Sequence, residues 1–254
     1  SSSLLVFQEL GPGCPQLILA QTPKATTFKD FWFMVWSQKS QVVVCLHPPT
    51  EILDTFWPTQ VNSEVTHGDF SVTLLRQFDL SHCLEMSLKV TMVGSDAILS
   101  LSLLQMKSPW GKGSCGQILG IAQNVIDTLK RHQAQDGGAG KSWPVVINSL
   151  TGADRSGCLS VAITAILATQ VRRPVLINVI DAWYRICSQR KGALEDAENL
   201  LLSYKLVLSH GHELLNKHGI MTSYQMKTAQ TATVEAKEEI IDPLSQLDPL
   251  WKLK

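Results

Sequence analysis

Trp143-Pro144-Val145-Val146-Ile147-Asn148-Ser149-Leu150-Thr151-Gly152-Ala153-Asp154-Arg155-Ser156-Gly157 carries the strongest local signal in this chain of 254 residues. Val145, Val146 and Ile147 form a short β-branched run, the kind a buried strand uses. Asn148 to Asp154 reads as a loop around Gly152. From Arg155 the chain turns apolar at helical spacing, through Leu159, Val161, Ile163, Ala165, Ile166 and Leu167. Strand, small-residue loop and helix N-terminus together make an anion cradle. The loop amides are expected to converge on one point, where the helix dipole adds positive potential. Arg155 at the helix start offers a bidentate fork for phosphate. A plainer reading of the same residues is an ordinary strand–helix unit with a surface arginine.

The stretch resembles the phosphate loop of the protein tyrosine phosphatases, whose pattern is Val-His-Cys-Ser-Ala-Gly-x-Gly-Arg-Thr-Gly. Aligned on Gly152, Arg155 and Gly157, the family's His falls on Asn148 and its nucleophilic Cys on Ser149. The resemblance implies a degenerate pocket built from Asn148, Ser149, Leu150, Thr151, Gly152, Ala153, Asp154, Arg155, Ser156 and Gly157. That chemistry needs a thiolate, because a thiol of lowered pKa attacks phosphorus at neutral pH. A serine hydroxyl has no comparable acidity, and no His stands beside it here. Asp154 replaces a glycine of the pattern and brings a carboxylate to the phosphate seat.

Other segments extend the resemblance. The family's Ile-x-x-Gln-Gly-Pro, its Asp-Phe-Trp-x-Met-x-Trp helix and a following β-branched run occur in the same order here. They are Ala20-Gln21-Thr22-Pro23, then Asp30-Phe31-Trp32-Phe33-Met34-Val35-Trp36, then Val42-Val43-Val44. Phe56-Trp57-Pro58 resembles the family's Tyr-Trp-Pro. These residues speak for fold rather than activity. They imply an α/β protein with a central twisted mixed sheet flanked by helices. The family's mobile Trp-Pro-Asp loop, which supplies the general acid, corresponds to Trp110-Gly111-Lys112. Trp is kept, Pro becomes Gly111 and Asp becomes Lys112, so the acid is lost; a simpler reading of Lys112 is a solvated loop charge. Glu195, Asp196 and Asn199 stand where the family has water-positioning glutamines. Glu195 and Asp196 fit better, with Glu198, as a first-turn acidic set suited to the helix dipole. Nucleophile, acid and glutamines failing together imply no enzyme.

Composition bounds what remains. Lys plus Arg number 22 and Asp plus Glu 22, a formal net charge of zero, so nothing argues for nucleic acid or an anionic membrane. No apolar run approaches the about 18 residues of a transmembrane helix, and no signal-peptide pattern opens the chain. The six cysteines are scattered without paired spacing. They read as free thiols of a reducing, cytoplasmic compartment, each a small buried hydrophobe. No cofactor or metal is implied.

Taken in order, residues 1–16 read as a linker and edge segment, with a short edge strand at Leu4 to Phe7. Leu17 to Pro23 reads as a strand and turn, and Thr27 as the cap of the aromatic helix. Gln41 to Leu46 reads as a buried strand stopped by His47-Pro48-Pro49. Phe70 to Leu104 alternates as an antiparallel meander, with turns at Phe78-Asp79 and Gly94-Ser95. Helices are predicted over Ile118–Gln133, Val175–Cys187 and Ala193–His218. Residues 17–219 thus form a tyrosine phosphatase-like domain. Residues 220–254 read as a flexible tail with two docking peptides, Asp242-Pro243-Leu244 and Asp248-Pro249-Leu250-Trp251. A strand or loop packed back onto the domain is the alternative. No Lys-Asn-Arg-Tyr-like phosphotyrosine clasp is found in residues 1–16.

The last helices, with Gln189-Arg190-Lys191 and His212 to Gly219, resemble most the His-domain branch of the family, which implies an endosomal adaptor. The expected function is a catalytically inactive interaction module acting in endosomal sorting of receptors. Its partners are then proteins: phosphorylated peptides or endosomal sorting components. A phosphate-binding reader and a residual phosphatase using Ser149 are the alternatives.

Overall fold

The computed structural model describes residues 5–7, 14–52, 54–111, 115–135, 143–170, 178–189 and 196–220. Lys112, Glu195, Arg190, Lys191 and the two Asp-Pro-Leu peptides lie outside them. The chain divides into two compact units, Ser1–Gly211 and His212–Lys254.

The first unit is built on one mixed sheet. Its strands are β1 (Leu5–Phe7), β2 (Leu17–Gln21), β3 (Val42–Cys45), β4 (Glu64–His67), β5 (Phe70–Asp79), β6 (Cys83–Met92), β7 (Ile98–Met106) and β8 (Val145–Ser149). Among the described residues the order is β1-β2-β8-β3-β7-β6-β5-β4. β8 runs parallel to both β2 and β3, and β3 parallel to β7; the remaining pairs are antiparallel. Among the described residues this unit holds the helices α1 (Phe28–Ser37), α2 (Cys115–Gln135), α3 (Asp154–Gln170) and α4 (Val179–Gln189), and α5 (Ala197–Lys217) begins in it and continues into the second unit.

The period-two pattern of the strands sorts the core into two layers. Leu17, Leu19, Val42, Val44, Val145 and Ile147 face α2 and α3. Ile18, Val43, Cys45 and Val146 point the other way, onto α1. The aromatic stripe of α1 therefore becomes core: Trp32 is fully buried and its Nε1 donates to the Phe56 backbone oxygen at 2.9 Å. The Asp-Phe-Trp helix and the Phe-Trp-Pro segment are thus tied to one another.

The expected α/β architecture, edge strand, meander and helix order are found. Several local expectations are not. Thr27 takes the N-cap position of α1 but its side chain makes no capping hydrogen bond; its hydroxyl is spent on the Lys24 carbonyl at 3.2 Å, at the end of the short 3₁₀ turn Ala25–Thr27. β5 continues through Phe78 and Asp79, pairing with Glu85 and Leu84, so the turn comes later. β4 was not foreseen. It joins β5 through a two-residue turn in which Gly68 takes φ +62°, a conformation glycine adopts freely. Asn148 and Ser149 belong to β8 rather than to the loop, because Ala20, Gln21 and Cys45 pair with them.

In the second unit the last turns of α5 end in a glycine cap. Gly219 has φ +70°, and the Ile220 N–H donates to the Leu215 oxygen at 2.9 Å, which satisfies a carbonyl the helix end leaves open.

Candidate functional site

β8 lies at the middle of the parallel strands, so the loop at its C-terminal end emerges where open α/β sheets place their sites. The strand end is held from both sides: Thr22 N–H donates to the Ser149 oxygen at 2.8 Å, and Leu46 N–H to the Asn148 oxygen at 2.9 Å. The turn then rests on β2. Gly152 has φ +65°, and a Cβ there would lie 2.5 Å from the Ala20 carbonyl carbon and the Gln21 nitrogen. Only glycine fits, which explains the residue on which the loop pattern was aligned.

At the centre sits Ser149, 1% exposed. Its Oγ accepts the Gly152 N–H at 3.1 Å and lies 3.1 Å from the Ser156 Oγ. The hydroxyl is therefore engaged by the loop and by the first turn of α3, and among the described residues no His or carboxylate is its hydrogen-bond partner. Asn148 is fully buried on the opposite face of the strand. Its Oδ1 accepts the Thr22 hydroxyl at 3.2 Å, while its Nδ2 is buried without a partner among the described residues. Leu150 is 65% exposed and Thr151 is exposed, whereas Ala153, Ser156 and Gly157 are buried. Asp154 opens α3 and is half-buried.

Arg155 is not a free fork. Its Nη1 donates to the Leu46 backbone oxygen at 3.0 Å and to Glu51 Oε2 at 2.7 Å. The same oxygen lies 3.3 Å from His47 Nδ1. Burial alone would raise the Glu51 carboxyl, but the hydrogen bond and charge of Arg155, with help from His47, hold it below its ordinary value. Burial pushes the His47 imidazole down and keeps it neutral, with Nε2 unpartnered. In neutral His47, Nδ1 then carries the proton given to Glu51. Sequence reasoning missed Glu51 and His47, because His47 is followed by two prolines and Glu51 belongs to no periodic element.

Two described cysteines flank the loop. Cys45 pairs with Asn148 in register, and Cys158 lies in α3; burial pushes each up to about 12. Both are thiols at neutral pH, and thiols are poor nucleophiles. Of the acid loop, Trp110 is half-buried against the α2–α3 core and Gly111 is exposed. Asp196 acts as a helix cap: its Oδ1 accepts the Glu198 N–H at 3.0 Å at the start of α5, the geometry of an N-cap carboxylate.

The protein-tyrosine phosphatase family model matches residues 7–209. This chain belongs to the protein-tyrosine phosphatase family. The phosphatase-family domain is similar to tyrosine-protein phosphatase non-receptor type 23 of Homo sapiens, 25% identical over 218 residues, covering 83% of this chain and 13% of that protein. It is similar to tyrosine-protein phosphatase non-receptor type 9 of Homo sapiens, 24% identical over 216 residues, covering 81% and 35%. A Lar-like tyrosine-protein phosphatase of Caenorhabditis elegans is 35% identical over 92 residues, covering 35% of this chain and 4% of that protein. The chain spans well under half the length of each. Among the described residues, no helix is long and apolar enough to cross a membrane.

Proposed function

We propose that this phosphatase-family domain is catalytically inactive and serves as a protein-interaction module. One observation carries the reading: the position of the family's nucleophile is a serine whose Oγ has, among the described residues, Gly152 N–H and Ser156 Oγ as its hydrogen-bond partners. Attack on phosphorus would require removing its proton, and neither partner is a base. The raised pKa of Cys45 and Cys158 supports it, as does Lys112 in the family's acid position. The module acts in the cytoplasm, in endosomal sorting of receptors. The likeness of its last helices to the His-domain branch supports that setting. Residues 17–219 form the module and 220–254 a tail with two docking peptides. Phosphate reading is the weaker alternative, because the arginine that would clamp phosphate is already paired with Glu51.

The test is turnover of para-nitrophenyl phosphate by the domain and by Ser149→Ala. No hydrolysis above buffer is expected from either. Hydrolysis by the parent that disappears in Ser149→Ala would show an active serine phosphatase and overturn the proposal.

A further inference from the structure

The outer edge of β5 is covered only part-way. β4 pairs with it from Phe70 to Thr73. The last bonds join Leu74 to the chain just before β4: Asn62 N–H donates to the Leu74 oxygen at 2.7 Å, and Leu74 N–H to the Ser63 oxygen at 3.1 Å. There the cover stops, because the chain turns at Gln60, whose oxygen takes the Ser63 N–H at 3.1 Å. β5 itself runs on. Its register shifts at a bulge between Leu74 and Arg76, and Arg76 to Asp79 stay paired with Ser87 to Leu84 of β6. Leu75, Arg76, Gln77, Phe78 and Asp79 are all exposed, Leu75 at 40% and Phe78 at 45%. Among the described residues this stretch has no strand on its outer side.

The turn after β5 decides which backbone groups the edge offers. Leu80 N–H donates to the Cys83 oxygen at 3.0 Å, and antiparallel pairs alternate between bonded and non-bonded. Phe78 and Arg76 therefore spend their amides on β6, while Gln77 and Asp79 turn theirs outward. Side chains alternate too. Gln77 shares the α1 face of the sheet with Met86. Arg76 and Phe78 share the other face, with Glu85 and its α2 partner Arg131. Among the described residues no ion pair engages Arg76.

We propose that this edge pairs with the same edge of a second copy of the chain, antiparallel, about a two-fold axis at Gln77. In that register the stretch is complementary to itself. The two Gln77 residues exchange both of their outward backbone bonds. Arg76 of each copy lies opposite Phe78 of the other in a non-bonded pair, where Cα atoms approach to about 4.5 Å. A guanidinium over an aromatic ring is favourable, and the symmetry supplies the contact twice. Charges and a bulge at an edge ordinarily deter strand addition. Here they act as a filter, refusing a strand with a cation opposite Arg76 and taking one with an aromatic ring there. The interface uses no residue of the phosphate loop, so it goes beyond the interaction-module reading and does not depend on it.

Sedimentation velocity on the full chain, from about 5 μM to about 1 mM, reads the association. The paired stretch is short, so dimer is expected in the upper part of that range. Gln77→Pro removes an N–H that faces away from β6, so the melting temperature should stay with the parent while the dimer weakens at least about tenfold. Phe78→Lys sets a cation opposite Arg76 and should weaken it similarly. Arg76→Glu added to Phe78→Lys makes an opposite-charge pair across the axis and should restore the dimer. Both positions are exposed, so this charge exchange decides the matter even if Gln77→Pro fails to fold. A parent that is monomeric throughout overturns the proposal and leaves the edge to a strand of another protein. A dimer indifferent to Gln77→Pro and to Phe78→Lys, or one that the double variant fails to restore, overturns it too, because another surface then holds the copies together.

Discussion

Arg155 and Glu51 meet at 2.7 Å, Nη1 to Oε2, although 104 residues separate them in the chain. The guanidinium that would neutralise a bound phosphate is neutralised from within. Removing the carboxylate should therefore liberate it. Glu51→Gln is expected to bind a phosphotyrosine peptide more tightly than the parent, measured by calorimetry. The pair is about three-quarters withdrawn from solvent at Arg155 and a little less at Glu51, so the stability lost is about 1 kcal/mol or less. Equal lack of binding by parent and variant would mean that more than this ion pair closes the pocket.

His47 gives the fold a pH dependence of definite sign. Burial lowers its pKa from the ordinary 6.5, so below that value the unfolded chain takes up a proton the folded chain resists. Stability is then full above about pH 6.5 and falls as the solution is acidified through the folded value. Glu51, held below 4.5, adds a loss of the same direction at more acid pH, as its carboxylate is protonated. His67 is lowered as well, burial again first among the causes. Melting temperatures of parent and His47→Gln between pH 8 and 5.5 isolate the His47 share. The parent should lose more than the variant on acidification. Superimposable profiles would remove His47 from the account.

Gly152→Ala should be among the most damaging single changes in the loop. A methyl group there would sit 2.5 Å from two backbone atoms of β2 and would also have to adopt φ +65°. Left-handed strain and overpacking together cost about 2–5 kcal/mol. Urea unfolding measures it directly. A loss under about 0.5 kcal/mol would mean that the loop moves away from Ala20 and Gln21 without penalty.

Fold was legible because its markers are redundant. The β-branched runs at Val42–Val44 and Val145–Ile147, the aromatic stripe of α1 and the alternation through β6 and β7 each name an element by period alone. β4 escaped because Glu-Val-Thr-His is half exposed and its pattern is too short to stand out. Asn148 and Ser149 escaped because polar residues at a strand end look like loop; only their neighbours Ala20, Gln21 and Cys45 make them strand. In the site, the glycine of the loop could be read locally, since a positive φ is a local demand. Arg155's partner could not. Glu51 and His47 reach the loop through tertiary contact, and nothing in their own sequence neighbourhood marks the meeting.

Restoring the thiol alone should not restore an enzyme. In Ser149→Cys the sulfur would inherit the position of the Ser149 Oγ, which accepts the Gly152 N–H at 3.1 Å and faces the Ser156 hydroxyl at 3.1 Å. Those donors and the N-terminus of α3 favour a thiolate. Asp154, in the first turn of the same helix, opposes both the thiolate and an anionic substrate. Arg155 remains committed to Glu51. On the alignment that the family resemblance implies, Lys112 takes the family's Asp position and the leaving phenolate would have no acid, where general acid–base help is worth about 10²–10⁴-fold. Ser149→Cys is thus expected to give at most traces of phosphocysteine by mass spectrometry and no sustained turnover of para-nitrophenyl phosphate. Joint reversion of Asn148→His, Ser149→Cys, Asp154→Gly, Gly111→Pro and Lys112→Asp should do better, limited by the water-positioning glutamines that the same alignment implies are missing. Robust turnover by Ser149→Cys alone would show that the cradle is intact around a single exchanged atom, and that neither Asp154 nor the Glu51 pairing restrains it.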